Sequence, residues 1–536
     1  MKKLKLVCVA IAMAGAAPTF AGGLLTNTNQ HVAFNRMMSR EASIGIDGVY
    51  YNPAGVVFMG EGHHLAINWQ LAYQTRTINN DYKLFTNNVN NPITPRDFKG
   101  KAFAPVIPSF QYAYNKGKWS FQANFSLTGG GGKCTFDDGL GSFEKIVSET
   151  AIAACGLAGV VDQTLGNTLG QQGMEMFTSD QAFGKTGKYS FNSYMHGRQY
   201  YYGLSVGAAY KFCDNFSAFL GVRGVYALTN YYGYVENINV GNMPLYKVLD
   251  PTKENAANIE LSCDQTGVGF TPIIGVDYKT GRWNFSAKYE FKTRIRLKNK
   301  SVNQTPSIGN LPANLANQMT GILTDKFHNA GLPLEQAKQQ AENTTNTVLS
   351  DPKVGATMMG LKTQFDQKLN KAIGEYEDGK KIAGDIPGYL ALGIGYSPVD
   401  AVRVNVGFHW FDDKNATSYN NRNKELKRGT LEYNAGVEVD VNKKITLSTG
   451  WQNTNYGLSD EYMDDKSFVV GSNSAAIGGV YHINKKMDLN VAYFHTFYQH
   501  KKTSETVQLA ADKSIVYNSD YTRNNNVFAV GLDINF

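Results

Sequence analysis

The sequence predicts an all-β chain: a 14-stranded antiparallel transmembrane β-barrel with an N-terminal plug (hatch) inside the barrel. Three observations predict it. Apolar and polar residues alternate with period 2 over most of the chain after residue 60. The alternating segments reach ten residues or more, where ordinary strands hold about 5–6. Short turns and long connections also succeed one another along the whole length. Composition agrees. Of 536 residues, 42% are hydrophobic, 12% aromatic and 18% charged, and 54 Gly stand against 15 Pro, which suits a long all-β protein and neither a collagenous nor a disordered one. The mean hydropathy of −0.32, with no apolar run of about 18 residues past residue 21, argues against a helical membrane protein. No block of basic residues offers a footprint for nucleic acid.

Residues 1–21 read as a secretory signal peptide. Lys2, Lys3 and Lys5 precede an apolar stretch from Leu4 to Ala17, and Thr19 and Ala21 place small residues before Gly22. Cleavage there removes three lysines and no acid, taking the net charge from +7 to +4. The expected destination is the outer membrane of a Gram-negative bacterium.

Fourteen segments then alternate: 61–77, 106–115, 118–128, 198–212, 215–235, 264–279, 282–298, 386–398, 401–412, 429–441, 444–457, 472–484, 487–502 and 523–536. In the ninth, Val402, Val404, Val406, Phe408 and Trp410 share one face, against Arg403, Asn405, Gly407 and His409. Turns of two or three residues, such as Thr280-Gly281 and Lys485-Lys486, follow every even segment, whereas odd segments lead into long loops. An even strand count with short turns at one end and long loops at the other is the pattern of an outer-membrane barrel. Closure is required, because hydrocarbon cannot satisfy an open sheet edge. The terminal Phe536 is the aromatic end expected by the barrel assembly machinery.

Two regions depart from alternation. Residues 22–60 carry Leu24, Leu25, Phe34, Met37 and Ile46 with no strand pattern; a plug inside the 61–536 barrel covers them, the alternative being a periplasmic tail. Loops 129–197 and 299–385 have helical spacing, as in Val354, Met358, Leu361 and Phe365. These helices are expected to pack together over the barrel mouth or to line an apolar groove.

Within 22–60, Gly22-Gly23-Leu24, Asn35-Arg36, Glu41-Ala42-Ser43-Ile44 and Asn52-Pro53-Ala54 resemble the plug of the FadL/TodX family of outer-membrane transporters for hydrophobic compounds. Ala104-Pro105 with Pro108, and Ile386-Pro387-Gly388-Tyr389, resemble further landmarks. The resemblance implies passive transport of a hydrophobic ligand such as a long-chain fatty acid. The ligand would be captured at extracellular loops, enter the plugged barrel and leave sideways into outer-membrane lipid. It also implies a monomer; no cofactor is expected. Gly22, Asn52, Pro53 and Ala54 become the plug and gate residues. Val106, Pro108, Leu127, Gly129 and Gly130 become the lateral opening, where the glycine run after the third strand tolerates unusual backbone angles. An ordinary loop entry would use the same glycines.

Lys288, Lys292, Arg294 and Arg296 are expected on the inner face of segment 282–298, as contacts for a ligand carboxylate or as solvated and paired wall charges. His63 and His64 alternate faces and chelate poorly, so no metal site is assigned, and no enzyme is expected. Cys134, Cys155 and Cys263 belong to the extracellular end and Cys213 to a periplasmic turn. A Cys134–Cys155 bridge is favoured, with the pairing among the three left open. A surface barrel or adhesin without transport is the alternative function; a porin fits poorly with an apolar plug.

Overall fold

The computed structural model describes residues 23–27, 29–170, 187–241, 243–306, 310–510 and 513–536. Gly22 and the segment assigned to the signal peptide lie outside the described residues. The staves are β1 (Gly62–Tyr82), β2 (Arg96–Lys116), β3 (Trp119–Phe136), β4 (Tyr189–Cys213), β5 (Phe216–Val240) and β6 (Ile259–Thr280). They continue with β7 (Trp283–Glu290, resumed as Arg296–Gln304), β8 (Lys381–Ala383, resumed as Tyr389–Val399), β9 (Val402–Phe411) and β10 (Arg428–Asn442). The set ends with β11 (Ile445–Gly457), β12 (Ser472–Asn484), β13 (Met487–Tyr498, resumed as Lys501–Ala510) and β14 (Lys513–Asn535). Each pairs antiparallel with its neighbours, and β14 returns to β1 from His64↔Asn535 to Tyr82↔Tyr517. The closing seam is finished by Phe536, whose N–H donates to the His63 carbonyl at 2.9 Å and whose carbonyl accepts from His63 N–H at 2.8 Å. The 14-strand antiparallel barrel is therefore closed.

Its wall is inside out relative to a soluble protein. Phe110, Phe121, Leu204, Leu220, Phe270 and Phe528 face outward and are exposed, while Gln111, Gln122, Asn124, Gln265, Asn405 and Gln452 are buried inside. An apolar outer belt with a polar interior is what a bilayer selects, since lipid solvates neither amides nor charges. Several staves run beyond their predicted ends: β2 starts at Arg96 and β4 at Tyr189. In this upper part of β2 the alternation reverses, with Asp97, Lys99 and Lys101 exposed and Phe98 and Gly100 buried. Water has replaced lipid outside, so the outward residues are charged.

A break at 291–295 corrects the reading of segment 282–298 as one continuous strand. Up to Glu290 the buried residues are Asn284, Lys288 and Glu290; from Thr293 onward they are Thr293, Ile295, Leu297 and Asn299. The step from Glu290 to Thr293 is three positions, an odd number, so the faces exchange. Lys288 points inward as expected. Arg294 is exposed on the outer face, and Arg296 and Lys292 turn to the buried Asp385 carboxylate, at 2.8 and 3.9 Å. Asp385 also accepts from the Ile295 N–H at 3.1 Å, clasping β7 to the matching interruption in β8.

Residues 29–60 lie in the lumen. Helices α1 (Val32–Met37) and α2 (Gly48–Tyr51) are buried on every side. Above them, α3 (Gly141–Leu169) packs Val147, Ala151, Val161 and Leu165 with Leu315, Met319 and Leu323 of a helix at Leu311–Asn329. The same cluster takes in Ala337, Ala341 and Val348 of the next helix, Leu334–Leu349, and Val354 and Met358 of Pro352–Ile373. By composition α3 is long and apolar enough to span a bilayer, which sequence patterning missed; it packs among the loop helices instead.

No disulfide joins Cys134 to Cys155 or Cys263. Cys134 is buried on β3 among Phe98, Phe136 and Met195, Cys263 is buried with Tyr231 and Tyr376, and Cys155 stands on α3, so each is held in its own packing environment. Cys213 is exposed at the short-turn end of β4. A membrane-impermeant maleimide is expected to label it in cells only after the outer membrane is opened, with Cys213→Ser as the blank. Labelling in intact cells would reverse the topology.

Candidate functional site

The site forms where β2 and β3 part. Their pairing runs from Lys116↔Trp119 to Phe110↔Phe125, stops, and resumes only at Phe103↔Lys133. Residues 104–109 of β2 and 126–132 of β3 face each other across a gap. On β2, Pro105 and Pro108 lack the N–H that a ladder needs, and pairing with β1 slips between Ala104 and Ile107. On β3, bulges follow Leu127 and Gly130 in the pairing with β4, and a bulged strand bends and loses its regular ladder. Glycine is required there. Gly130 has φ +79, and a Cβ on it would sit 2.4 Å from the Gln199 carbonyl oxygen; a Cβ on Gly129 would sit 2.6 Å from the Leu24 side chain.

A cavity of about 240 Å³ lies behind the gap. Ala104, Ile107, Leu127, Gly130 and Gly132 line it from the gap, Gly23 and Leu24 from the N-terminal segment, and Phe468 and Val469 from the loop between β11 and β12. Four of the expected lateral-opening positions, Pro108, Leu127, Gly129 and Gly130, lie on the gap or its rims. Val106 is also on the β2 rim, exposed on the outer face.

Gln30 bridges the opening, which sequence reasoning did not single out. Its side-chain amide donates to the Leu127 carbonyl at 2.7 Å, while its own carbonyl accepts from Ser109 Oγ at 2.7 Å and Gln111 Nε2 at 2.9 Å. One lumenal residue thus ties β3 to β2 beside the unpaired stretch, and Tyr51 Oη accepts its N–H at 2.8 Å.

Asn52, Pro53 and Ala54 are bolted to three staves. Asn52 Nδ2 donates to Asp277 on β6 at 2.6 Å, the Pro53 carbonyl accepts from Gln122 on β3 at 2.7 Å, and the Ala54 carbonyl accepts from Ser217 on β5 at 2.7 Å. Asn52 leaves the helical region at φ −138, ψ 68, as a residue before proline must, and its Oδ1 accepts from the Gly55 N–H at 3.2 Å.

Ionic clasps hold the rest of the lumenal segment. Glu438 on β10 takes Arg36 at 2.5 Å and Arg40 at 2.9 Å; Arg40 also reaches Asp47 at 2.7 Å. Burial opposes the Asp47 charge, but the adjacent Arg40 guanidinium outweighs it and holds the carboxyl below the ordinary range. His409 on β9 lies between Glu41 at 2.7 Å and Glu432 at 2.9 Å. Lys288 is paired with Glu290 at 2.9 Å, which also binds Arg223 at 2.5 Å, and its ammonium donates to the Tyr50 carbonyl at 2.7 Å. Lys288 is thereby committed to the wall and the lumenal segment.

A closed barrel with an outward apolar belt, a filled lumen and an interrupted wall is a plugged membrane-spanning β-barrel. Among solved structures, a Pseudomonas aeruginosa FadL homologue is similar at 14% identity over 96% of this chain and 100% of its own, with a TM-score of 0.57. The deltaS2S3 mutant of the monoaromatic hydrocarbon channel TodX is similar at 12% identity over 94% and 98%, with a TM-score of 0.51. The chain has the FadL-type fold. No family model and no curated protein matches its sequence.

Proposed function

We propose that the chain is a FadL/TodX-type channel of the Gram-negative outer membrane. It takes hydrophobic molecules, long-chain fatty acids foremost, from the extracellular loops into the cavity and releases them sideways between β2 and β3. The observation that carries this reading is the lapse of β2–β3 pairing beside a cavity lined in part by apolar side chains. An alkyl chain gains about 0.8 kcal/mol per buried CH₂, so release into periplasmic water is uphill and release into lipid is not. In this reading Asn52-Pro53-Ala54 keep the axial route shut, so that the wall is the exit, and Gln30 stands across that exit. The barrel acts as a monomer.

The test is uptake of labelled palmitate by a bacterial host lacking its own importer, with assembly checked in the outer membrane. Uptake is expected with the native chain and lost with Leu127→Arg, which sets a cation in the opening. Native uptake by an assembled Leu127→Arg barrel would sink the lateral route.

A further inference from the structure

We infer that Arg76 and Arg523 form the seat for an anionic headgroup, a carboxylate on an alkyl chain whose tail lies toward the β2–β3 gap. This rests on the transport reading and names the ligand chemistry of the same cavity.

Arg76 on β1 and Arg523 on β14 are direct register partners, and both line the cavity. Like charges placed opposite one another across a ladder repel. Every other clasp described in the lumen sets its cations against a carboxylate. Here the shared acceptor is one neutral amide: Gln74 Oε1 accepts from Arg523 Nη2 at 2.7 Å and from Arg76 Nε at 3.2 Å. Arg523 Nη1 reaches the Phe468 carbonyl only at 3.5 Å, and its Nε is buried with no acceptor. The Tyr498 ring lies 5.2 Å from the guanidinium carbon, a contact that steadies the group without neutralising it. Lys466 adds a third cation to the lining, which contains no Asp or Glu.

A cavity with this charge is complementary to an anion. Paired guanidinium forks suit a carboxylate, whose two oxygens accept in a plane. Leu24, Ile107 and Leu127 on the same cavity suit the tail. A neutral hydrocarbon would leave both arginines as they stand.

The test uses the folded full-length barrel in a neutral detergent, with calorimetric binding of palmitate, hexadecanol and hexadecyl phosphate. Palmitate is expected to bind more tightly than hexadecanol. Arg76→Gln and Arg523→Gln should each weaken palmitate by about tenfold or more and leave hexadecanol unchanged. Each removes one of two opposed like charges, so the thermal midpoint should hold or rise, which separates headgroup loss from misfolding. Hexadecanol binding equal to that of palmitate, with both indifferent to the substitutions, overturns the headgroup seat alone. Tighter binding of hexadecyl phosphate overturns the carboxylate assignment. Failure of the native barrel to bind any of the three overturns the seat together with the transport reading.

Discussion

Joined by a disulfide between Ala104→Cys and Gly132→Cys, the barrel is expected to lose fatty-acid uptake when oxidised and regain it on reduction. The two positions face each other across the β2–β3 gap, and a Cβ built on Gly132 would stand 3.4 Å from the Ala104 Cβ. Bridged cysteines hold their Cβ atoms about 3.5–4.5 Å apart, so the staple asks for little movement. It closes the opening covalently and leaves the headgroup seat and loops in place. Uptake in the oxidised state should fall to the level of the host without the barrel, while palmitate binding by the purified protein persists. Gly132 has φ +152, so the single variant Gly132→Cys serves as the strain control and should transport. Full uptake by a barrel shown on gels to be cross-linked would mean that ligand leaves elsewhere. Unpaired backbone within lipid is costly unless something in the protein satisfies it. Gln30 does so at Leu127, and Thr128 Oγ1 donates to the Tyr201 carbonyl at 3.1 Å just beside it.

Alternation exposed the barrel in the sequence because the surroundings enforce it: lipid outside and polar groups inside demand opposite side chains at successive positions. Where the surroundings change, the same rule misleads. Above the membrane the outward positions of β2 are Asp97, Lys99 and Lys101, so the segment reads as loop. At 291–295 a local break exchanges the faces, and Lys292, Arg294 and Arg296 move out of the lumen while Lys288 stays. The glycine run beside the gap was legible because its signal is local: few other residues accept the backbone angle of Gly130. Gln30 and Glu438 were not, since their partners are supplied by tertiary placement. Arg76 and Arg523 fall between these cases. Once the terminal Phe536 is set beside His63 in an antiparallel seam, counting back along both strands brings Arg523 opposite Arg76. The information was present, but it needed the closure register as well as the strand assignments.

That same dependence on the lumen makes Glu438→Ala the substitution expected to loosen the plug most. Its carboxylate lies between Arg36 and Arg40, and Arg403 Nε reaches it at 3.2 Å. Arg40 keeps Asp47 when Glu438 is removed. Arg36 keeps only neutral acceptors, Asn490 at 3.2 Å and Ser448 at 3.0 Å. Breaking a buried pair by deleting one partner costs about 3–5 kcal/mol, because the remaining charge has neither water nor a counter-ion. The barrel wall does not depend on that contact, since its staves are joined by backbone hydrogen bonds. The loss should therefore fall on residues 29–60: ion conductance across planar bilayers rises and protease cuts the segment faster, while the barrel still resists unfolding in unheated detergent gels. Asp440→Asn is the control. Its pair with Arg403 is more than one-third exposed on both sides, and such pairs contribute about 0–1 kcal/mol, so conductance should stay at the native level. A Glu438→Ala barrel as closed and protease-resistant as the native one would mean that the bolts at Asn52, Pro53 and Ala54 hold the plug without the ionic clasp. The two anchors would then separate into a hydrogen-bonded hinge that carries the closure energy and an ion pair that only sets the register of α1.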